Sequence, residues 1–225
     1  MKIAVLGTGV VGKHLAAKLS RLGHEVVMGT RDTGATMTRS GSADTDDPPF
    51  SQWSLAHAVV GLATFADAAA YGEVVWNATR GGDSLPALGL AGAANLAGKV
   101  LIDTSRPLDT SAGFPPTLFV KDTDSLGEQI QRAFPEARVV KTLDTLYAHV
   151  MVNPGVLGEE STVFVAGNDP DAKATVTDLL TEFGHTDVID LGDITAARGT
   201  EMMLPMWLRL MDALGTMAFN FKIVR

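Results

Sequence analysis

The segment Gly7-Thr8-Gly9-Val10-Val11-Gly12 has the spacing G-x-G-x-x-G. Each glycine has a separate task at a strand-to-helix turn. Gly7 permits the tight turn, Gly9 lets a pyrophosphate approach the backbone, and Gly12 lets the helix pack closely on the strand. The helix that follows presents free N–H groups and a partial positive charge, which favour a phosphate. The residues after the next strand choose between dinucleotides. Gly29-Thr30-Arg31-Asp32 offers a hydroxyl at Thr30 and a guanidinium at Arg31, a pair suited to a 2′-phosphate, and so predicts NADP(H). Asp32 is one residue late to accept from a ribose hydroxyl and keeps NAD as the alternative.

The elements around these residues support that chemistry. Lys2–Leu6 reads as a buried strand, and Val11, Leu15, Ala16, Leu19 and Leu22 mark one face of a helix that Gly23 ends. Glu25–Met28 reads as a second strand, completing a βαβ unit of ~30 residues. Val59–Ala63, Glu73–Trp76, Lys99–Asp103, Arg138–Lys141, Ser161–Ala166 and Thr186–Asp190 read as further strands, most of them alternating with helices. That rhythm predicts an α/β, Rossmann-like, doubly wound and mostly parallel sheet. Ligands of such a sheet lie beyond the carboxyl ends of its strands. Asn77, Ala78 and Thr79 follow the fourth strand, and Thr104 and Ser105 follow the fifth, so these five are expected on the nicotinamide side. Thr33–Phe50 reads as a long polar loop, a functional lid or, the stronger reading, mobile surface; Arg39 in it either assists Arg31 or, the stronger reading, is a solvated arginine. Glu201–Phe219 reads as a helix apolar nearly all round, kinked or begun at Pro205. The expected division is a nucleotide-binding domain over 1–192 and a helical segment over 193–225 for dimerisation or the acceptor site.

Composition narrows the functions available. The chain has 225 residues, 46% of them hydrophobic, with a net charge of −8 and no cysteine. A sizeable core is expected, and an acidic surface argues against nucleic-acid or anionic-membrane partners. Disulfides, thiol catalysis and cysteine-bound metals are excluded, and no metal site is expected. No apolar run is long enough for a membrane span, and the N-terminal run is read as a strand, not a signal peptide, so a cytoplasmic location is expected.

The chain resembles the NADP oxidoreductases related to the reductase of the deazaflavin coenzyme F-420, and the oxidoreductase domain of the STEAP metalloreductases is similar. The matching segments are Lys2–Gly12, Gly29–Arg31, Trp76–Thr79, Ile102–Asp109, Val139–Thr145 and the tail from Asp190 through Trp207–Leu210 to Phe219–Lys222. The resemblance implies hydride transfer between NADP(H) and a flat flavin or deazaflavin acceptor, in a homodimer built partly through C-terminal helices. It implies Thr8, Val10 and Val11 at the pyrophosphate, and Thr30 and Arg31 at the 2′-phosphate. The chain departs from the family at Asp144, where asparagine is common, and at Tyr147, where a small polar residue is usual. His149 and Asp144 are the candidates for a proton-donating residue, and a structural role for His149 is the stronger reading. Two other functions stay open: an imine or carbonyl reductase, which needs a defined proton donor, and a nucleotide-binding sensor without turnover.

Overall fold

The computed structural model describes residues 1–41 and 47–225. Among the described residues eight strands form one sheet: β1 (Lys2–Leu6), β2 (Glu25–Thr30), β3 (Gly61–Thr64), β4 (Val74–Asn77), β5 (Val100–Asp103), β8 (Arg138–Thr142), β9 (Thr162–Gly167) and β10 (Asp187–Asp190). Their order is β10-β9-β8-β5-β4-β1-β2-β3. Every pairing is parallel except β8 with β9. The last two strands therefore run opposite to the other six. A small antiparallel pair, β6 (Leu108–Asp109) with β7 (Thr117–Leu118), stands apart from the sheet.

Strand alternation divides the core between the two faces. Ile3, Val5, Trp76, Ile102 and Val140 point to one face. There they meet α1 (Val10–Arg21), α8 (Ala148–Val152) and α9 (Pro170–Phe183) through Leu15, Leu19, Val150, Val176 and Phe183. The Trp76 and Phe183 rings stack with centroids 5.7 Å apart. Ala4, Leu6, Val75, Leu101 and Val139 point to the other face. They pack on α4 (Phe65–Tyr71), α5 (Gly81–Ala91) and α7 (Leu126–Ala133) through Phe65, Ala68, Leu88 and Ile130.

The local signals account for several boundaries. Ser125 caps α7 by accepting from the Glu128 amide, and Asp169 caps α9, whose first residue is Pro170. Other boundaries differ from expectation. Thr33–Thr38 is a short helix, α2, because Asp32 caps it by accepting from the Ala35 amide at 2.8 Å. The rest of the expected 33–50 loop falls partly on residues 42–46, outside the described residues, and α3 (Phe50–Ala56) closes it. The apolar tail is two helices, α10 (Ala197–Met202) and α11 (Leu204–Leu214), with Pro205 in the first turn of the second and Gly215 ending it in the left-handed conformation. Ile194 and Ala197 join the second core face, so the tail packs into the same body as the sheet. Among the described residues no helix is long and apolar enough to cross a membrane.

The glycine turn explains its own sequence. Gly7 has φ of +116°, and a Cβ on Gly12 would stand 2.1 Å from the Gly7 carbonyl oxygen, whereas a Cβ on Gly9 would meet nothing within 4 Å. Gly12→Ala is therefore expected to push α1 off β1 and cost about 1–3 kcal/mol in urea unfolding. Gly9→Ala should leave the unfolding midpoint unchanged while weakening cofactor binding. Equal stability of the two variants would contradict this division of roles.

Candidate functional site

A cleft of about 1300 Å³ opens along the carboxyl ends of β1, β2, β4 and β5, where strand order reverses on either side of β1. Of the residues expected there, Gly7, Thr8, Gly9, Val10, Val11, Thr30, Arg31, Ala78, Thr79, Thr104 and Ser105 line it. Gly12 lies behind the turn. Asn77 is fully buried beneath the floor. Lys13, Arg39, Arg80, Gly81, Gly82 and Arg106 also line the cleft. Arg80 and Arg106 follow directly on the polar turns at Thr79 and Ser105, so the sequence signal for them was adjacency. Lys13 carried no such signal, and for Arg39 the sequence offers only the weaker reading of a partner to Arg31.

The glycine-turn end fits a pyrophosphate. The N-cap of α1 is Gly9, which has no side chain to cap the helix, so the first amides of α1 are left to a ligand at the cleft. At the end of β2 the hydroxyls have fixed directions. Thr36 Oγ1 donates to the Asp32 carbonyl at 2.8 Å, so the 2.7 Å bond between Thr30 and Thr36 takes its hydrogen from Thr30. The Thr30 hydroxyl thus spends its hydrogen inside the protein, which leaves it none for a phosphate. Asp32 is committed to capping α2. Arg31 is exposed at this end. Lys13 is neutralised locally, because its ammonium donates to Asp47 at 2.9 Å and to the Pro48 carbonyl at 2.7 Å.

The floor beneath the other end is organised by Asp103, which is fully buried. Its Oδ1 accepts from the Asn77 amide at 2.8 Å, the Ser105 hydroxyl at 2.7 Å and the Ser105 backbone N–H at 3.1 Å. Its Oδ2 accepts from the Lys141 ammonium at 2.9 Å. Thr79 donates to Asn77 Oδ1 at 2.7 Å, and Thr104 donates to the Asn77 carbonyl at 3.0 Å. The hydroxyls of Thr79, Thr104 and Ser105 therefore all have inward partners.

Lys141 also meets Glu201 at 3.0 Å and donates to the Ser105 carbonyl at 2.5 Å. Burial pushes its pKa down, but Asp103, Glu201 and Asp144 outweigh burial and hold the ammonium above its usual range. Burial raises the Asp144 and Glu201 carboxyls against the pull of Lys141. Glu201 accepts from the Leu126 and Gly127 amides at 2.8 and 3.0 Å, and so caps α7 from α10. Arg106 donates to the Leu146 carbonyl and lies 5.3 Å from the centre of the Trp207 ring. Burial lowers its pKa, and Asp144 opposes that.

Neither expected proton donor lines the cleft. His149 is exposed, with its ring edge-on to His14 at 6.1 Å. Asp144 is buried, and its Oδ2 has no hydrogen-bond partner among the described residues. Among the described residues no group of three His, Asp or Glu could hold a metal ion.

A glycine turn at a strand switch point, with a cleft along four strand ends, defines a dinucleotide-binding α/β protein. The profile of the NADP oxidoreductases dependent on coenzyme F-420 matches residues 2–107. A crystal structure from Arthrobacter sp. FB24, named provisionally as an F-420-dependent NADP reductase, is 61% identical, with full coverage of both chains and a TM-score of 0.96. The F-420-dependent NADP reductase of Methanocaldococcus jannaschii is 27% identical over 93% of this chain and 92% of its own. The metalloreductase STEAP3 of Rattus norvegicus is 26% identical over 92% of this chain and 38% of its own. The chain belongs to the F-420-dependent NADP oxidoreductase family and is an NADP-linked oxidoreductase.

Two outcomes test the floor. Lys141→Met leaves buried acids unpaired and should cost about 3–5 kcal/mol in urea unfolding; a loss below about 1 kcal/mol would show that the ion pair is not what holds the turns. Asp144 supplies a pH signature. Its folded pKa is raised, so the folded state binds more protons than the unfolded one, and stability falls as pH rises above about 4. Asp144→Asn should reduce that fall in a series of unfolding curves against pH. An unchanged slope would assign it to Glu201.

Proposed function

We propose that the protein transfers hydride between NADP(H) and a flat flavin or deazaflavin acceptor, F-420-like in shape, held over the nicotinamide at the β4–β5 end of the cleft. The supporting observation is the floor itself: the hydroxyls of Thr79, Thr104 and Ser105 donate to Asn77 and to Asp103. Such a floor supplies positioning, not an acid or base, and that suffices where two ring systems carry the reaction between them. An imine or carbonyl reductase needs a placed proton donor, and both His149 and Asp144 lie off the cleft lining.

In this reading the pyrophosphate rests on the α1 N-terminus beside Thr8, Gly9, Val10 and Val11. Arg31 pairs with the 2′-phosphate, and Ala78, Thr79, Thr104 and Ser105 border the nicotinamide. Residues 193–225 serve a homodimer through the exposed apolar side chains Met202, Met206, Leu214 and Met217. A cytoplasmic location goes with a soluble coenzyme pair.

Calorimetric titration of NADPH and NADH tests the cofactor half. A charge-assisted contact contributes about 1.5–3 kcal/mol, so Arg31→Ala should weaken NADPH about ten- to a hundredfold and leave NADH unchanged. The acceptor half is tested by NADPH oxidation with F-420, FMN and riboflavin. Turnover with at least one ring acceptor is expected. Oxidation only with a cyclic imine, abolished by a substitution at His149 or Asp144, would replace this reading with the imine reductase.

A further inference from the structure

We propose that Arg39 is a specificity residue for the cofactor's 2′-phosphate and that it works by setting the direction of the Thr8 hydroxyl. The proposal rests on the NADP(H) reading of Arg31 given above. Backbone geometry brings the three residues together. The Gly7 amide donates to the Gly29 carbonyl at 2.9 Å, so Thr8 stands beside the end of β2, where Thr30 and Arg31 emerge. Arg39, at the C-terminal cap of α2, reaches back to the same point. Its Nη2 donates to the Thr8 carbonyl at 3.3 Å and to Thr8 Oγ1 at 3.1 Å. Thr8, Arg31 and Arg39 all line the cleft. Arg39 is exposed, as a solvated arginine would be, and is also fastened to the glycine turn, which favours the reading of it as a partner to Arg31.

Counting protons gives these contacts a function. A threonine hydroxyl has one hydrogen to donate and lone pairs that accept. Thr8 Oγ1 accepts from Arg39, so its own hydrogen is left to donate into the cleft. Thr30 is the opposite case, since its hydrogen goes to Thr36. The hydroxyl donor that a phosphate needs is therefore supplied by Thr8, on the glycine turn, and not by Thr30, on the strand. Arg39 contributes a second time through its charge. A dianionic phosphate beside Thr8 would have Arg31 and Arg39 for company, while Lys13 is spent on Asp47 and Pro48. A guanidinium also carries five N–H groups, so Nη2 can serve Thr8 while other N–H groups face an anion.

The test uses two ligands that differ only in the phosphate at issue, 2′,5′-ADP and 5′-AMP, titrated calorimetrically into the wild type and Arg39→Ala, Arg39→Lys, Thr8→Val and the double variant Thr8→Val/Arg39→Ala. Arg39→Ala should weaken 2′,5′-ADP about tenfold or more and leave 5′-AMP within twofold. Arg39→Lys should recover part of that loss, because the charge returns without the fork. Thr8→Val should cost less in the Arg39→Ala background than in the wild type, because the hydroxyl is no longer oriented. Equal weakening of both ligands would make Arg39 a support for the turn and overturn the proposal. So would an unchanged preference in Arg39→Ala while Arg31→Ala loses its own. A wild type indifferent to the 2′-phosphate would overturn the NADP reading and this inference together.

Discussion

The ion pair between Lys141 and Asp103 lies wholly inside the protein, and the cleft floor depends on it. Burying two charges costs several kcal/mol per ion unless their remaining donors and acceptors are met. Here they are met in full. Asp103 receives the Asn77 amide and both donors of Ser105, and Lys141 also holds the Ser105 carbonyl and Glu201. One charged contact thus ties the turn after β4, the turn after β5 and the helical tail into one piece. The same pairing explains why the polar turns have so little chemistry of their own, since their hydroxyls are spent in holding the floor.

The cleft divides along its length by electrostatics. At the glycine-turn end, uncapped amides and exposed arginines gather positive charge within a chain of net charge −8. That charge is local and suits the phosphates of one dinucleotide without drawing polyanions to the whole surface. At the other end, the Lys141–Asp103 pair and Glu201 lie below the floor, while Arg80 and Arg106 stand at the cleft. The lining there includes Ala78, Thr79, Thr104, Ser105 and the Arg106 guanidinium, which has the Trp207 ring beside it.

The first sixty residues were mostly legible because glycine spacing and strand alternation have direct steric causes. Gly7, Gly12 and Gly23 stand where the structure needs them. The helix α5 was not legible. It contains Gly81, Gly82 and Pro86, which carry no helix signal, yet a Cβ on Gly81 would stand 1.9 Å from the Arg106 carbonyl oxygen, so glycine is required for close packing. The reversed direction of β9 escaped for a different reason: alternation marks which residues face the core and not which way the strand runs. At the site, residue type was legible and partner was not. Thr30 has the hydroxyl the motif asks for, but only the fold shows it bonded to Thr36. Arg39 meets Thr8 across 31 positions of sequence, a contact that no local pattern encodes.

The capping of α7 by Glu201 also sets an order of assembly. Leu126 and Gly127 take their cap from a residue 75 and 74 positions later in the chain, and Lys141 meets the same carboxylate 60 residues downstream of itself. Domains fold as units, and synthesis proceeds at roughly 5–20 residues per second. The glycine turn, β1, α1 and β2 emerge early in translation. The floor at the ends of β4 and β5 must wait, since Lys141 gains its second acid and α7 its cap only when α10 has emerged. A chain that stops short of Glu201 would therefore lack the cap of α7 and the second acid of Lys141, however complete its glycine turn.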